Sequence, residues 1–383
     1  MSVAQGCCEE AARAGHDVTL LLALPPTGHA SDFGSARLTS LNAAPPYSDI
    51  PARLIKWLEA NPQDILILNG CEQADAAIPY LPTGLCVVYG VHDTADRYFT
   101  TALRFETEIA GIIAVAETVA KRFRCQMKNP DKLHVVHNGT AFPASLDKTL
   151  LQPRFDDLVF LGGDNPVKGA HDLLALWPHL IDLNFRGHLH WFGHVGDAMR
   201  ARISSLPASA RIKLHGRRPR KDIFEAAGRS KVVLMLSRVE PFGMATVECM
   251  GMGCTVVAWD IDTGTKEIMR PGDGALAPLG DYHALALGAT SAIELHGQSF
   301  IASTTRVREK FSEAAMWLRY ERAFDAILNN PSVGRALAGQ IPPSYRRPIR
   351  LYQLLPARLR AAMRLAVGRS PRIGYALRNF RGK

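Results

Sequence analysis

The 383-residue sequence predicts an α/β protein made of two doubly wound parallel sheets, followed by a basic C-terminal segment. Three observations carry this expectation. Short apolar runs of strand length alternate with helical stretches through the first 140 residues, and the alternation restarts at Leu158. Between the two halves, Phe142 to Phe155 is rich in Pro and polar residues and reads as a linker. A content of 47% hydrophobic and 21% charged residues is globular, and the length is ample for two cores.

The first half opens with a helix over residues 2–14, a stop at Gly15 and a strand from Asp17 to Ala23. A helix near 50–60, a strand over 64–69, a helix near 72–80 and a strand over 85–90 follow. After a further helical stretch come a strand over 110–115, a helix over 117–126 and a strand over 133–136. Doubly wound sheets bind ligands at the carboxyl ends of their strands. His92-Asp93 falls on that edge, although a histidine there equally well satisfies a backbone carbonyl; Asp93 is a candidate orienting partner. The Asn138-Gly139 turn ends this half, and the Asn-Gly-Thr sequon has no role without secretion.

The second half begins with a strand over 158–162, then Gly163, Lys168-Gly169 and a helix over 170–181. Lys168 is a compact ammonium after a strand-to-loop turn, suited to neutralising a diphosphate. Strands over 188–192 and 211–215, a helix over 221–228 and a strand over 231–236 lead to a turn at Glu240 to Gly243 and a helix over 244–252. The first helical turn leaves the N–H groups of Phe242, Gly243 and Met244 without intrahelical partners, and Gly243 admits a close diphosphate. Glu240 opens the loop and Glu248 projects from the second turn. An ionised carboxylate can accept both donors of a vicinal diol, so each glutamate suits sugar hydroxyls. A helix-start acid and a solvated helix residue fit the same spacing.

Glu240-Pro-Phe-Gly, then Glu248-Cys-Met-Gly-Met-Gly-Cys-Thr-Val-Val-Ala and Lys266-Glu267-Ile268, resembles the donor-site signature of glycosyltransferase family 4. These are retaining enzymes of the GT-B fold, in which two Rossmann-like domains face a cleft. The resemblance implies an acceptor domain over 1–145, a nucleotide-sugar donor domain over 146–311, a helix over 312–329 that returns to the first domain, and a basic tail over 330–383. It implies transfer of a sugar, with retention, from a nucleotide diphosphate donor to a saccharide or lipid-linked acceptor in cell-surface polysaccharide or glycolipid synthesis. No metal and no cofactor are expected. His92, Lys168 and Glu240 become the catalytic set. Phe242, Gly243, Met244, Glu248, Gly163 and Arg238 become the donor-binding set, with Glu248 on the ribose and Glu240 on the donor sugar.

Two departures stand out. Gly15-His-Asp-Val resembles the end of the family's first helix, which places its first strand and Gly-rich loop ahead of Met1 and leaves the first sheet short of a strand. Position 163 is Gly where the family usually carries Arg, so half of a charge clamp is missing. Arg238 is placed to compensate, and an exposed surface arginine is the blander alternative. The rival expectations are a catalytically weakened nucleotide-sugar-binding or partner subunit, and a sugar-nucleotide epimerase.

The seven cysteines are odd in number and scattered, as for reduced cytosolic thiols. The N-terminus has no basic start or apolar run, and no stretch approaches a membrane span. Asp260-Ile-Asp262 imitates a metal motif in the wrong context. From Asn330 to Lys383 there are eleven Arg, one Lys and no acid; this +12 within a net charge of +9 leaves −3 for the rest. Within it, 356–367 fits an interfacial helix with Leu359, Ala362, Met363 and Ala366 on one face, flanked by Arg358, Arg360 and Arg364. An anionic membrane surface is therefore an expected partner, with a solvated tail as the equal alternative. Nucleic acid is not, because aromatic residues are too sparse to stack bases. The expected location is cytoplasmic, peripheral at the inner face of the cell membrane.

Overall fold

The computed structural model describes residues 2–25, 36–143, 153–329 and 334–345. The described residues divide into two compact units, one built from residues up to Thr140 together with those described between Glu313 and Tyr345, the other from those between Ala141 and Ser312. Most of the linker, and the interfacial helix expected at 356–367, lie outside the described residues.

In the first unit, α1 (Ser2–Arg13) leads to β1 (Thr19–Leu22), which pairs in parallel with β2 (Arg37–Ser40), a strand the sequence does not signal. After α2 (Ile50–Ala60), strands β3 (Ile65–Leu68), β4 (Cys86–Val91), β5 (Gly111–Ala114) and β6 (Leu133–Val135) form a parallel sheet in sequential order. Their crossovers carry α3 (Glu72–Asp75), α4 (Asp96–Arg104) and α5 (Glu117–Arg124). The helix expected over 72–80 instead breaks into α3 and a 3-10 turn at Ile78–Tyr80, because Pro79 has no N–H to continue the ladder. β4 is buried on both faces, which is why it reads as a continuous apolar run.

Among the described residues no strand joins the β1–β2 pair to the β3–β6 sheet. The described strands of this unit thus form two separate sheets. A shared core ties α1 to the larger sheet, with Ala11, Val88, Ile113, Trp317, Tyr320 and Phe324 packed together. Three of these come from the last helix, Glu313–Leu328, and Trp317 stacks on Tyr320 with ring centroids 6.5 Å apart. The chain from 334 onward begins as a strap rather than as a free basic tail. Arg335 is buried and donates to the carbonyls of Glu108 (3.0 Å), Leu85 (2.9 Å) and Pro82. One of the tail's eleven arginines is therefore structural.

The second unit is one six-stranded parallel sheet in the order β12-β11-β10-β7-β8-β9. Its strands are β7 (Phe155–Leu161), β8 (Leu189–Phe192), β9 (Ile212–Gly216), β10 (Ser230–Met235), β11 (Thr255–Trp259) and β12 (Gly274–Ala277). The connecting helices are α6 (Ala170–Asp182), α7 (Asp197–Ser204), α8 (Arg220–Arg229), α9 (Met244–Gly251) and α10 (Gly264–Ile268). The order runs outward in one direction from β7 and in the other from β10, so a topological switch point lies between these two strands. Trp177, Trp191 and Trp259 are fully buried in its core. At on the order of 25 cal/mol per Å², each contributes several kcal/mol of gross burial free energy.

A 29-residue helix, α11 (Tyr282–Lys310), flanks the sheet and clamps the short α9. Thr304 Oγ1 donates to Met250 O (3.1 Å), Arg308 Nε to Gly251 O (2.9 Å) and His296 Nε2 to Gly253 O (2.8 Å). The first two bonds add to those that close the last turn of α9, and the third holds the loop that follows it. Burial depresses the pKa of His296 from 6.5 to about 4, so the ring is neutral and supplies one N–H. The unfolded chain takes up a proton between those values and the folded chain does not. Stability is therefore lost as pH falls from 6.5 to 4, by about 2–3 kcal/mol at most from this residue. Chemical denaturation of wild type and His296→Gln across this window should show the flatter pH profile in the variant.

Candidate active site

Two loops at the switch point build the centre of the site. After β7, a 3-10 turn at Pro166–Lys168 ends at Gly169, which has a left-handed backbone (φ 88°). A Cβ on Gly169 would lie 2.4 Å from Leu236, so only glycine lets this turn dock on the end of β10. Arg238 N donates to Val167 O at 2.8 Å and knits the β10 loop to the same turn. The result brings Lys168 Nζ to 2.6 Å from Glu240 Oε2, which also accepts from Ser237 Oγ at 3.2 Å.

Arg238 does not take the role the sequence suggests. It is neither an exposed arginine nor a spare cation for a diphosphate. Its guanidinium is buried and grips Asp172 of α6 with two hydrogen bonds, Nε to Oδ2 at 2.9 Å and Nη2 to Oδ1. Tyr282 donates to the same carboxylate at 2.9 Å, and burial beside it pushes the phenol pKa up to about 12. A guanidinium committed in this way fixes the loop that carries Glu240.

Gly163 is also corrected. It is buried at φ 53°, its N–H donates to Phe192 O (2.9 Å) and its carbonyl accepts from Trp191 Nε1 (2.9 Å). No main-chain donor remains there for a phosphate. A Cβ would meet His194 O at 2.5 Å, so the loop after β8 crowds out the arginine that the resemblance leads one to expect.

The start of α9 keeps its expected form. Gly243 is its left-handed N-cap (φ 102°), and the N–H groups of Gly243, Met244 and Ala245 meet no acceptor among the described residues. The ring of Phe242 is buried against Phe311, with centroids 5.7 Å apart. One helical turn on, Glu248 Oε1 lies 3.0 Å from Nη2 of Arg220, the first residue of α8. The site thus holds two acid–cation pairs, Lys168–Glu240 and Arg220–Glu248. Sequence reasoning misses Arg220, Asp172 and Ser237; the available hint for the first is the basic run Arg217-Arg-Pro-Arg-Lys221 directly after the glycine that ends β9. Asp260 is paired with Lys266, and no group of three potential ligands suited to a metal ion occurs among the described residues.

In the first unit His92 follows β4 and is half-buried. Its partner is Asn69 rather than Asp93: Nε2 lies 2.9 Å from Asn69 Oδ1, while Asp93 Oδ1 accepts from Ala95 N at the start of α4. Burial lowers the His92 pKa to about 4, so near neutrality the ring is an uncharged hydrogen-bonding group. Gly90 keeps room for the pair, since a Cβ there would stand 2.7 Å from Asn69 Oδ1 and 3.1 Å from His92 Nε2.

A model of the family described as glycosyl transferases group 1 matches residues 143–315, and one described as Glycosyltransferase Family 4 matches residues 2–141. The chain belongs to glycosyltransferase family 4. Among its relatives, this glycosyltransferase is 25% identical over 328 residues to a phosphatidyl-myo-inositol mannosyltransferase of Mycolicibacterium smegmatis, covering 73% of this chain and 77% of that protein. Its fold is similar to Anabaena Alr3699/HepE in complex with UDP, at TM-score 0.66 and 16% identity, over 84% of this chain and 96% of the other. It is also similar to TarM of S. aureus, at TM-score 0.62 and 15% identity over 72% of this chain, and spans 58% of TarM's length.

Breaking the Arg238–Asp172 pair on one side strands a buried charge. Asp172→Ala should cost about 3–5 kcal/mol by urea denaturation, whereas the paired change Arg238→Met with Asp172→Leu should cost clearly less.

Proposed function

We propose that this glycosyltransferase moves a hexose, with retention, from a nucleoside diphosphate sugar to a saccharide or lipid-linked acceptor in cell-surface polysaccharide or glycolipid synthesis. The observation that carries the reading is the cluster of Lys168, Glu240, Glu248 and the open N-terminus of α9 on one edge of one sheet. Sugar hydroxyls are donors that carboxylates accept, and a diphosphate is an acceptor that a lysine and free N–H groups satisfy. Glu248 takes the ribose diol and Glu240 the donor sugar. Lys168 and the α9 N-terminus stabilise the charge that grows on the departing diphosphate, where electrostatic catalysis acts most strongly. His92 serves as a neutral hydrogen-bonding group in the transfer step.

Support for a nucleoside diphosphate comes from the UDP seen in the Anabaena relative, and support for a lipid-linked acceptor from the mannosyltransferase named for phosphatidyl-myo-inositol. The residual basic charge beyond Tyr345 favours an acceptor presented at an anionic membrane face. The work requires no metal, since Lys168 already supplies a cation. A weakened binding subunit is the second reading, favoured by Gly163 and by the divided first sheet.

Thermal unfolding with a panel of nucleotide sugars tests the donor site. A ligand at 100 times its Kd stabilises by about 2.7 kcal/mol, which is several degrees for units of this size. One donor should raise the Tm of wild type and not of Glu248→Ala; no response to any of them would overturn the reading. Lys168→Ala should lower kcat about 10²–10³-fold while EDTA leaves the wild-type rate unchanged, both followed as diphosphate release in the presence of acceptor. A binding subunit would give the thermal shift and no release.

A further inference from the structure

Resting on the donor-site reading above, we infer that Arg220 is a second donor-binding cation: its guanidinium holds the nucleoside diphosphate from the ribose side, in place of the charge that Gly163 and Arg238 do not provide.

The charge inventory leads to this residue. A diphosphate brings at least two negative charges, and Lys168 is one cation. Position 163 cannot carry a side chain without displacing the backbone of His194, and Arg238 is committed to Asp172. Arg220 is different in kind. Its side chain is 35% exposed, its Nη2 stands 3.0 Å from Glu248 Oε1, and it opens α8 at the carboxyl edge of the sheet, on the same edge as Gly243.

The contact with Glu248 is one of charge rather than an aligned hydrogen bond. Nε and Nη2 of Arg220 are buried, and neither makes a hydrogen bond among the described residues. The ring of Phe224 lies under the guanidinium at 4.8 Å, so the cation is supported on one face by a surface that offers no acceptor. Those two nitrogens are enclosed by protein, so an anionic, oxygen-rich ligand meets the guanidinium through the exposed third of the side chain, beside Glu248.

The two acid–cation pairs then have one logic. A nucleotide sugar carries hydroxyl donors and phosphate acceptors together. Its hydroxyls replace the cations at Glu240 and Glu248, and its phosphate oxygens replace the carboxylates at Lys168 and Arg220. Each pair keeps its charges compensated before the ligand arrives and exchanges partners when it does. Arg220 differs from a residue that merely props Glu248, because its effect must scale with the ligand's charge.

Calorimetric titration of UDP and of uridine into wild type, Arg220→Ala, Arg220→Lys and Lys221→Ala reads that difference. Arg220→Ala should weaken UDP at least tenfold and uridine by less than threefold, Arg220→Lys should recover part of the UDP affinity, and Lys221→Ala, which removes an exposed neighbouring charge, should leave both unchanged. Ligand-free melting temperatures equal to wild type establish that the variants are folded. Equal loss for UDP and uridine would make Arg220 a prop for Glu248, and no loss would remove it from the site; either result overturns the inference while leaving the donor site in place. If wild type does not bind UDP, the same comparison is made with ADP, GDP, CDP and their nucleosides, and is read in the same way. Wild type that binds no nucleoside diphosphate at all brings down the donor-site reading itself, and this inference with it.

Discussion

The buried ion pair between Arg238 and Asp172 is the constraint on which the site depends. It joins the loop after β10, which carries Glu240, to α6, which starts two residues after Lys168. A charge pair of this burial is tolerated because both hydrogen bonds of the guanidinium fork are made and Tyr282 satisfies a further lone pair. Hydrophobic contact alone would hold the two loops near each other without fixing their rotation. The fork geometry specifies it, at the topological switch point where a parallel sheet leaves its carboxyl edge open.

Around this lock the second unit devotes a long helix to orienting a short one. α9 has eight residues, too few to be stable alone, and Thr304, Arg308 and His296 of α11 hold its last turn and the loop that follows it. Anchored from behind, α9 presents its N-terminus and Glu248 forward. The acids and cations that result are paired with one another, so charges that would repel or desolvate separately are held in compensated couples. The donor proposed above, with hydroxyl donors and phosphate acceptors in one molecule, matches such a set.

The first unit solves a different problem. Its β1–β2 pair is not hydrogen-bonded to the main sheet among the described residues, and side-chain packing does the joining instead. Trp317, Tyr320 and Phe324 from the helix Glu313–Leu328 supply large apolar surfaces to that joint, and Arg335 donates to three loop carbonyls. Such packing is less directional than a strand ladder. The residues kept near the sheet edge, His92 and Asn69, are correspondingly tied to each other across the ends of neighbouring strands.

Much of this was legible in the chain itself. Alternating apolar runs determined the two parallel-sheet units, and the spacing of Glu240, Gly243 and Glu248 determined a loop, a helix start and a projecting carboxylate, because these depend on local backbone chemistry. Strands β2 and β12 escaped, being short and mixed in character, and Pro79 cut a predicted helix that periodicity alone had favoured. Only the tertiary structure decided which charges are free. Arg238, Arg220 and Arg335 look alike in sequence, yet one locks a loop, one faces a glutamate at the site and one caps carbonyls. The reason is physical: a guanidinium's role is set by its desolvation and by the acceptors within about 3 Å, and those acceptors come from residues tens to hundreds of positions away.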